Sequence, residues 1–139
     1  MKSSLRPGTS RTNRIEIGRE RTISFMGDEA RTYATPSMIL DIEHTCRELI
    51  LEHADAGEDS VGMEVAVRHL APTLMGMTVE VTARVTAVEG RKVTFDVEVK
   101  DELDKVGAGS HTRFVVEKAK TFDRLKAKAA RFAALKEKA

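Results

Sequence analysis

Between Thr35 and His69 the hydrophobic repeat of the chain changes period, and this change restricts the fold more than any other feature of the sequence. Met38, Ile39, Ile42, Cys46, Leu49, Ile50 and His53 recur at three- and four-residue spacing, which is the stripe of an amphipathic helix. Asp41, His44, Arg47 and Glu48 fall elsewhere around the wheel. Thr35 followed by Pro36 reads as an N-cap and an N1 proline, because the first turn leaves unpaired the N–H that proline lacks. After Ala56–Ser60 the period falls to two. Val61, Met63, Val65, Val67 and His69 alternate with Gly62, Glu64, Ala66 and Arg68, and the run halts at Pro72.

Two further alternating runs, Val79 to Ala87 and Val93 to Val99, are joined at Glu89-Gly90 as a long hairpin. Val106 to Val116 reads as another strand, lightened by Gly107 and Gly109, and Ile15 to Phe25 as a first strand with polar interruptions. From Lys118, Phe122, Leu125, Ala129 and Phe132 follow a helical repeat among lysines and arginines, a basic amphipathic helix. The order places one long helix against one face of an antiparallel sheet, an α+β domain. The 139 residues suffice for one such core. Residues 1–14 hold Lys2, Arg6, Arg11 and Arg14 but no acid, and are expected to form a flexible basic arm. Residues 15–122 form the domain and 123–139 a basic helical tail.

Composition narrows the function. Twenty-three basic residues against twenty-two acidic ones give no push towards nucleic acid or an acidic membrane. Few aromatic residues argue against a base-stacking platform, and no His or Cys pair has metal-ligand spacing, so neither metal nor resident cofactor is expected. No apolar run approaches the roughly 18 residues of a membrane span. The single Cys46 suits a reducing compartment, and the expected address is cytoplasmic.

Three residues carry candidate chemistry: Thr35 at the helix start, Glu43 on the flank of the apolar stripe, and His69 at the end of a strand. Each also has a purely structural explanation, as helix cap, solvated rim carboxylate and hydrogen-bonded core histidine respectively. Eight residues separate Thr35 from Glu43, about 12 Å along a helix with wheel angles roughly 80° apart. The two cannot touch within one chain. To share one reaction they need a bridging histidine or substrate, or two chains.

Ala34-Thr35-Pro36, Glu43, Ser60-Val61-Gly62 and Val67-Arg68-His69-Leu70-Ala71-Pro72-Thr73, followed by Glu89-Gly90-Arg91 and Gly107-Ala108-Gly109-Ser110-His111-Thr112-Arg113, resemble the hot dog thioesterases related to fluoroacetyl-coenzyme A thioesterase. The similarity runs from Ile15 to Phe122. It implies a hot dog fold with a long helix wrapped by an antiparallel sheet, a homodimer or dimer of dimers, and hydrolysis of an acyl-coenzyme A substrate at the dimer interface. By the same resemblance Thr35, Glu43 and His69 are the catalytic group and Gly62 supplies an oxyanion-binding N–H. Coenzyme A enters only as part of the substrate. His111 is read as structural, and Met38 and Met63 as adaptable pocket walls. The segment before Thr35 is shorter and poorer in aromatics than the fluoroacetyl enzyme's lid, which favours a small or medium acyl group other than fluoroacetyl. Two other functions fit the same fold. One is a non-catalytic acyl-thioester binding or sensing module; the other, hydration of an enoyl thioester, lacks its Asp and His arrangement here.

Overall fold

The computed structural model describes residues 1–138. Its elements in chain order are β1 (Ser10–Glu16), α1 (Thr35–Leu51), β2 (Glu58–His69), β3 (Thr78–Glu89), β4 (Lys92–Lys100), β5 (Lys105–Glu117) and α2 (Lys118–Lys138), with two short 3-10 turns between β1 and α1. The strands form one antiparallel sheet in the order β1-β3-β4-β5-β2, so β1 and β2 are its edges. The sheet wraps α1. This is the hot dog fold.

The core follows from the two periods. Val79, Val81, Ala83 and Val85 of β3 and Val93, Phe95, Val97 and Val99 of β4 turn one face inward. Met38, Ile42, Cys46, Leu49 and Ile50 of α1 meet them. Burial of each large side chain contributes about 1.5–3 kcal/mol. Burial also pushes the Cys46 thiol up to about 12, leaving it a neutral core group. Gly90, at φ 63°, takes the left-handed conformation that the β3–β4 turn requires.

Several expectations are corrected. Residues 1–14 are not a loose arm: Leu5 is buried in the core, the Val85 N–H donates to the Thr9 carbonyl, and β1 begins at Ser10. One apolar anchor and a register with β3, running from Ser10↔Arg84 to Glu16↔Thr78, hold this basic segment. The strand expected over Ile15 to Phe25 correspondingly ends at Glu16. Beyond it Ile17 drops into the core, Gly18 follows and Arg19–Arg21 forms a 3-10 turn. Asp41, which falls off the apolar stripe of the helix, is nevertheless buried, because Tyr33 Oη donates to it at 2.6 Å and the Arg21 guanidinium lies 3.1 Å away.

The largest correction concerns β2. A register shift between Gly62 and Glu64 makes Met63 a β-bulge, which adds one residue and reverses the parity of everything after it. Ser60 and Gly62 pair with the buried Val115 and Arg113, whereas beyond the bulge Val65 pairs with the buried His111. Val61 and Met63 are therefore turned outward and exposed, and Gly62 shares the helix-facing side with Val65, Val67 and His69. Met63 consequently lines no core pocket, and Met38 is fully buried against Gly107.

Candidate functional site

Thr35 is the first residue of α1, with Ala34 in the capping position and no side-chain cap hydrogen bond. The cap predicted for Thr35 is absent because its hydroxyl is engaged elsewhere: Oγ1 lies 2.7 Å from His69 Nδ1. With the hydroxyl donating, the imidazole carries its proton on Nε2, an atom shielded from solvent and without a hydrogen-bond partner in this chain. Desolvation lowers the His69 pKa, so the ring is neutral at pH 7. The Tyr33 ring stands edge-on to it at 6.2 Å, fixed through its hydroxyl to Asp41 and thence to Arg21. Ile23, Phe25, Tyr33, Thr35, His69 and Leu70 line a cleft of about 390 Å³ beside this pair.

Glu43 belongs to a different group. Its side chain is about one-third exposed, and Oε1 lies 3.9 Å from Arg113 Nη1 and 4.0 Å from His111 Nε2. A Cβ added at Gly62 would stand only 2.7 Å from Glu43 Oε1. The carboxylate thus rests over the Gly62 backbone, in space that any other residue would occupy.

Arg113 and His111, from β5, are both buried. The guanidinium donates from Nε to Ser60 Oγ at 2.7 Å and from Nη2 to the Ser60 carbonyl at 2.8 Å. His111 Nδ1 lies 2.8 Å from the Glu64 carbonyl, which can only accept, so the proton sits on Nδ1. Nε2 then accepts from Arg113 Nη1 at 3.2 Å. Burial, chiefly, and the adjacent Arg113 cation lower the His111 pKa, and the ring is neutral. The contact of His111 with Glu43 is therefore between a neutral ring and a carboxylate; Arg113 is the cation of the cluster.

The four residues singled out in the sequence thus fall into two separate groups, Thr35 with His69 and Glu43 with Gly62. Gly62 and His69 are seven residues apart on one strand, on the order of 20 Å. His111, read from the sequence as structural, and Arg113, quoted there only within the family motif, complete the group around Glu43, and the sequence carries a signal for both. They continue the alternate positions of Gly107 and Gly109, so two polar side chains occupy the inward parity of a strand that is otherwise small or apolar there. Among the described residues, no group of three or more His, Cys, Asp or Glu side chains is placed to hold a metal ion. Likewise, no helix is long and apolar enough to cross a membrane.

Comparison with known proteins adds the following. Residues 17–119 match the family described as fluoroacetyl-CoA-specific thioesterase. The chain is 31% identical over 123 residues to the fluoroacetyl-CoA thioesterase of Streptantibioticus cattleyicolor, covering 84% of this chain and 88% of that one. A solved fluoroacetyl-CoA thioesterase superposes with a TM-score of 0.82 at 29% identity, over 89% of this chain and 97% of the other. A Thermus thermophilus protein described as a thioesterase superfamily member gives 0.85 at 32% identity, over 92% and 96% of the two chains.

Proposed function

The chain belongs to the fluoroacetyl-CoA-specific thioesterase family of hot dog proteins, and from that premise we propose that it hydrolyses an acyl-coenzyme A thioester at a site assembled from two copies. The observation that carries this reading is the division of the site into halves: His69 with Thr35 at one end of β2, Glu43 over Gly62 towards the other. An edge strand can accept a second copy of itself antiparallel. A two-fold pairing centred on Ala66, with the extra residue of the Met63 bulge lying beside Glu64 opposite Arg68, sets Gly62 of one copy opposite His69 of the other, and both half-sites then face one carbonyl.

In this mechanism Glu43 takes a proton from water as the water oxygen attacks the thioester carbon. The Gly62 N–H and the Arg113 cation stabilise the oxyanion that develops. Collapse breaks the C–S bond; the neutral His69, its Nε2–H oriented through Thr35, keeps its proton and donates a hydrogen bond to the departing thiolate, which takes up the proton that Glu43 collected from the water. The acyl group occupies the cleft beneath Phe25 and Leu70, whose 390 Å³ suits a small or medium chain.

The test is free-thiol release from a panel of acyl-coenzyme A thioesters by the unmodified protein, Glu43→Gln and His69→Ala. The expected result is turnover lost in both variants with folding and oligomeric state intact. Saturable binding without turnover on every substrate would replace the hydrolase with a binding module of the same fold.

A further inference from the structure

Among the described residues, helix α2 is an amphipathic element that meets the rest of its chain only through its first turn, around Thr121 and Phe122. None of its 21 residues is buried, and Phe122, Leu125, Phe132 and Leu135 are all more than half exposed. At 1.5 Å per residue it extends about 31 Å from the end of β5. Phe122, Leu125, Ala129 and Phe132 are spaced three, four and three residues apart, a narrow seam of the kind that seats on another protein surface.

Two observations identify the occupant. First, Phe122 shares a small cavity of about 180 Å³ with Val61 on the exposed edge of β2, so the seam continues from the row of outward apolar residues on that edge. In the pairing proposed above, Val61 lies opposite the partner's Leu70, on the rim of the partner's cleft. Leu70 is 52% exposed and the neighbouring Phe25 80% exposed, two apolar side chains that lack cover in the single chain. Second, α2 carries eight basic and two acidic residues, a charge of +6, which leaves −5 on the rest of a chain whose net charge is +1. The helix is drawn to the body of another copy. Pairing of α2 with a second α2 is opposed, because Lys126 and Lys128 flank the seam with like charge.

We propose that α2 is an intersubunit clasp: each copy lays its apolar seam over the Phe25–Leu70 rim of the partner's cleft, and its lysines line the entrance by which the substrate phosphates arrive. The clasp rests on the two-copy site described above, and it assigns a role to a helix lying almost wholly beyond the family match, which ends at residue 119.

The experiment replaces Leu125, Phe132 and Leu135 together by serine in the full chain. Phe122 is left in place so that packing within the domain is undisturbed. Sedimentation equilibrium measures the dimer dissociation constant, and hydrogen exchange follows the Phe25 and Leu70 segments. The expected result is an unchanged thermal midpoint, a dissociation constant raised at least about tenfold, and loss of protection at both segments. An unchanged constant and unchanged exchange overturn the clasp, as does unmodified protein that pellets with phosphatidylglycerol vesicles while the substitutions leave its dimer unaltered. Unmodified protein that is monomeric at every concentration overturns the clasp and the two-copy site together. A clasped dimer that turns over no acyl-coenzyme A sinks the thioesterase reading alone.

Discussion

Gly62→Ala separates catalysis from folding more cleanly than substitution of any acidic or basic group. The new Cβ would stand 2.7 Å from Glu43 Oε1 and 3.4 Å from His111 Cε1. The backbone at Gly62 is not in the left-handed region, so alanine is tolerated there without torsional strain. The whole conflict therefore falls on Glu43, whose carboxylate is the partly exposed end of a flexible side chain and can swing away by about 1 Å at little cost. Stability is expected to change by less than about 1 kcal/mol, a shift of roughly 4 °C or less in thermal midpoint. A catalytic group misplaced by about 1 Å costs on the order of 10²-fold in rate, equivalent to about 2.7 kcal/mol of transition-state stabilisation. Steady-state kcat/KM on the best acyl-coenzyme A, set beside a calorimetric midpoint, reads both quantities. Gly107→Ala is the control. Its Cβ meets the buried Met38 Sδ at 2.7 Å and the Arg68 carbonyl at 3.4 Å, so it should lower stability by about 1–3 kcal/mol. Full activity in Gly62→Ala, or a midpoint that falls as far as that of Gly107→Ala, would refute the reasoning.

Thr35→Ala should leave the thermal midpoint nearly unchanged, because Thr35 caps nothing, yet lower kcat by releasing the His69 ring; Thr35→Ser should restore most of the loss. Asp41→Ala strands the buried Tyr33 hydroxyl and removes one of the two carboxylates that pair with Arg21, which is about one-third exposed and keeps Glu20, and unfolding in urea should show a loss of about 2 kcal/mol. Stability should also fall on mild acidification. The folded-state pKa values of His69 and His111 are both depressed by burial, so the unfolded chain binds their protons first; the stability they contribute is full above about pH 6.5 and is lost as pH drops through the folded-state values. Thermal midpoints between pH 7.5 and 5 check this, and His111→Gln should flatten the slope.

The sequence by itself determined the elements and most of their partners. A helix stripe of period 3.6 followed by alternating runs leaves few packings other than one helix held in an antiparallel sheet, and β3, β4, β5 and both helices lie close to where the periods place them. Thr35, Glu43 and His69 stand out in the sequence by residue type and position, but their grouping as a candidate site, with Gly62, comes from the family resemblance and not from periodicity. Long-range contacts were not legible. Leu5 anchors a segment whose composition reads as disordered, and Asp41 is buried because Tyr33 and Arg21 are brought to it from elsewhere in the chain. Strict alternation assigned Gly62 to the face opposite His69. Only the bulge at Met63, a property of how β2 registers on β5, turns both to the same side and sets Glu43 against the Gly62 backbone. Periodicity records which residues avoid water, but a one-residue slip between neighbouring strands decides which of them meet. That slip is fixed by pairing in the folded sheet and is absent from any local pattern.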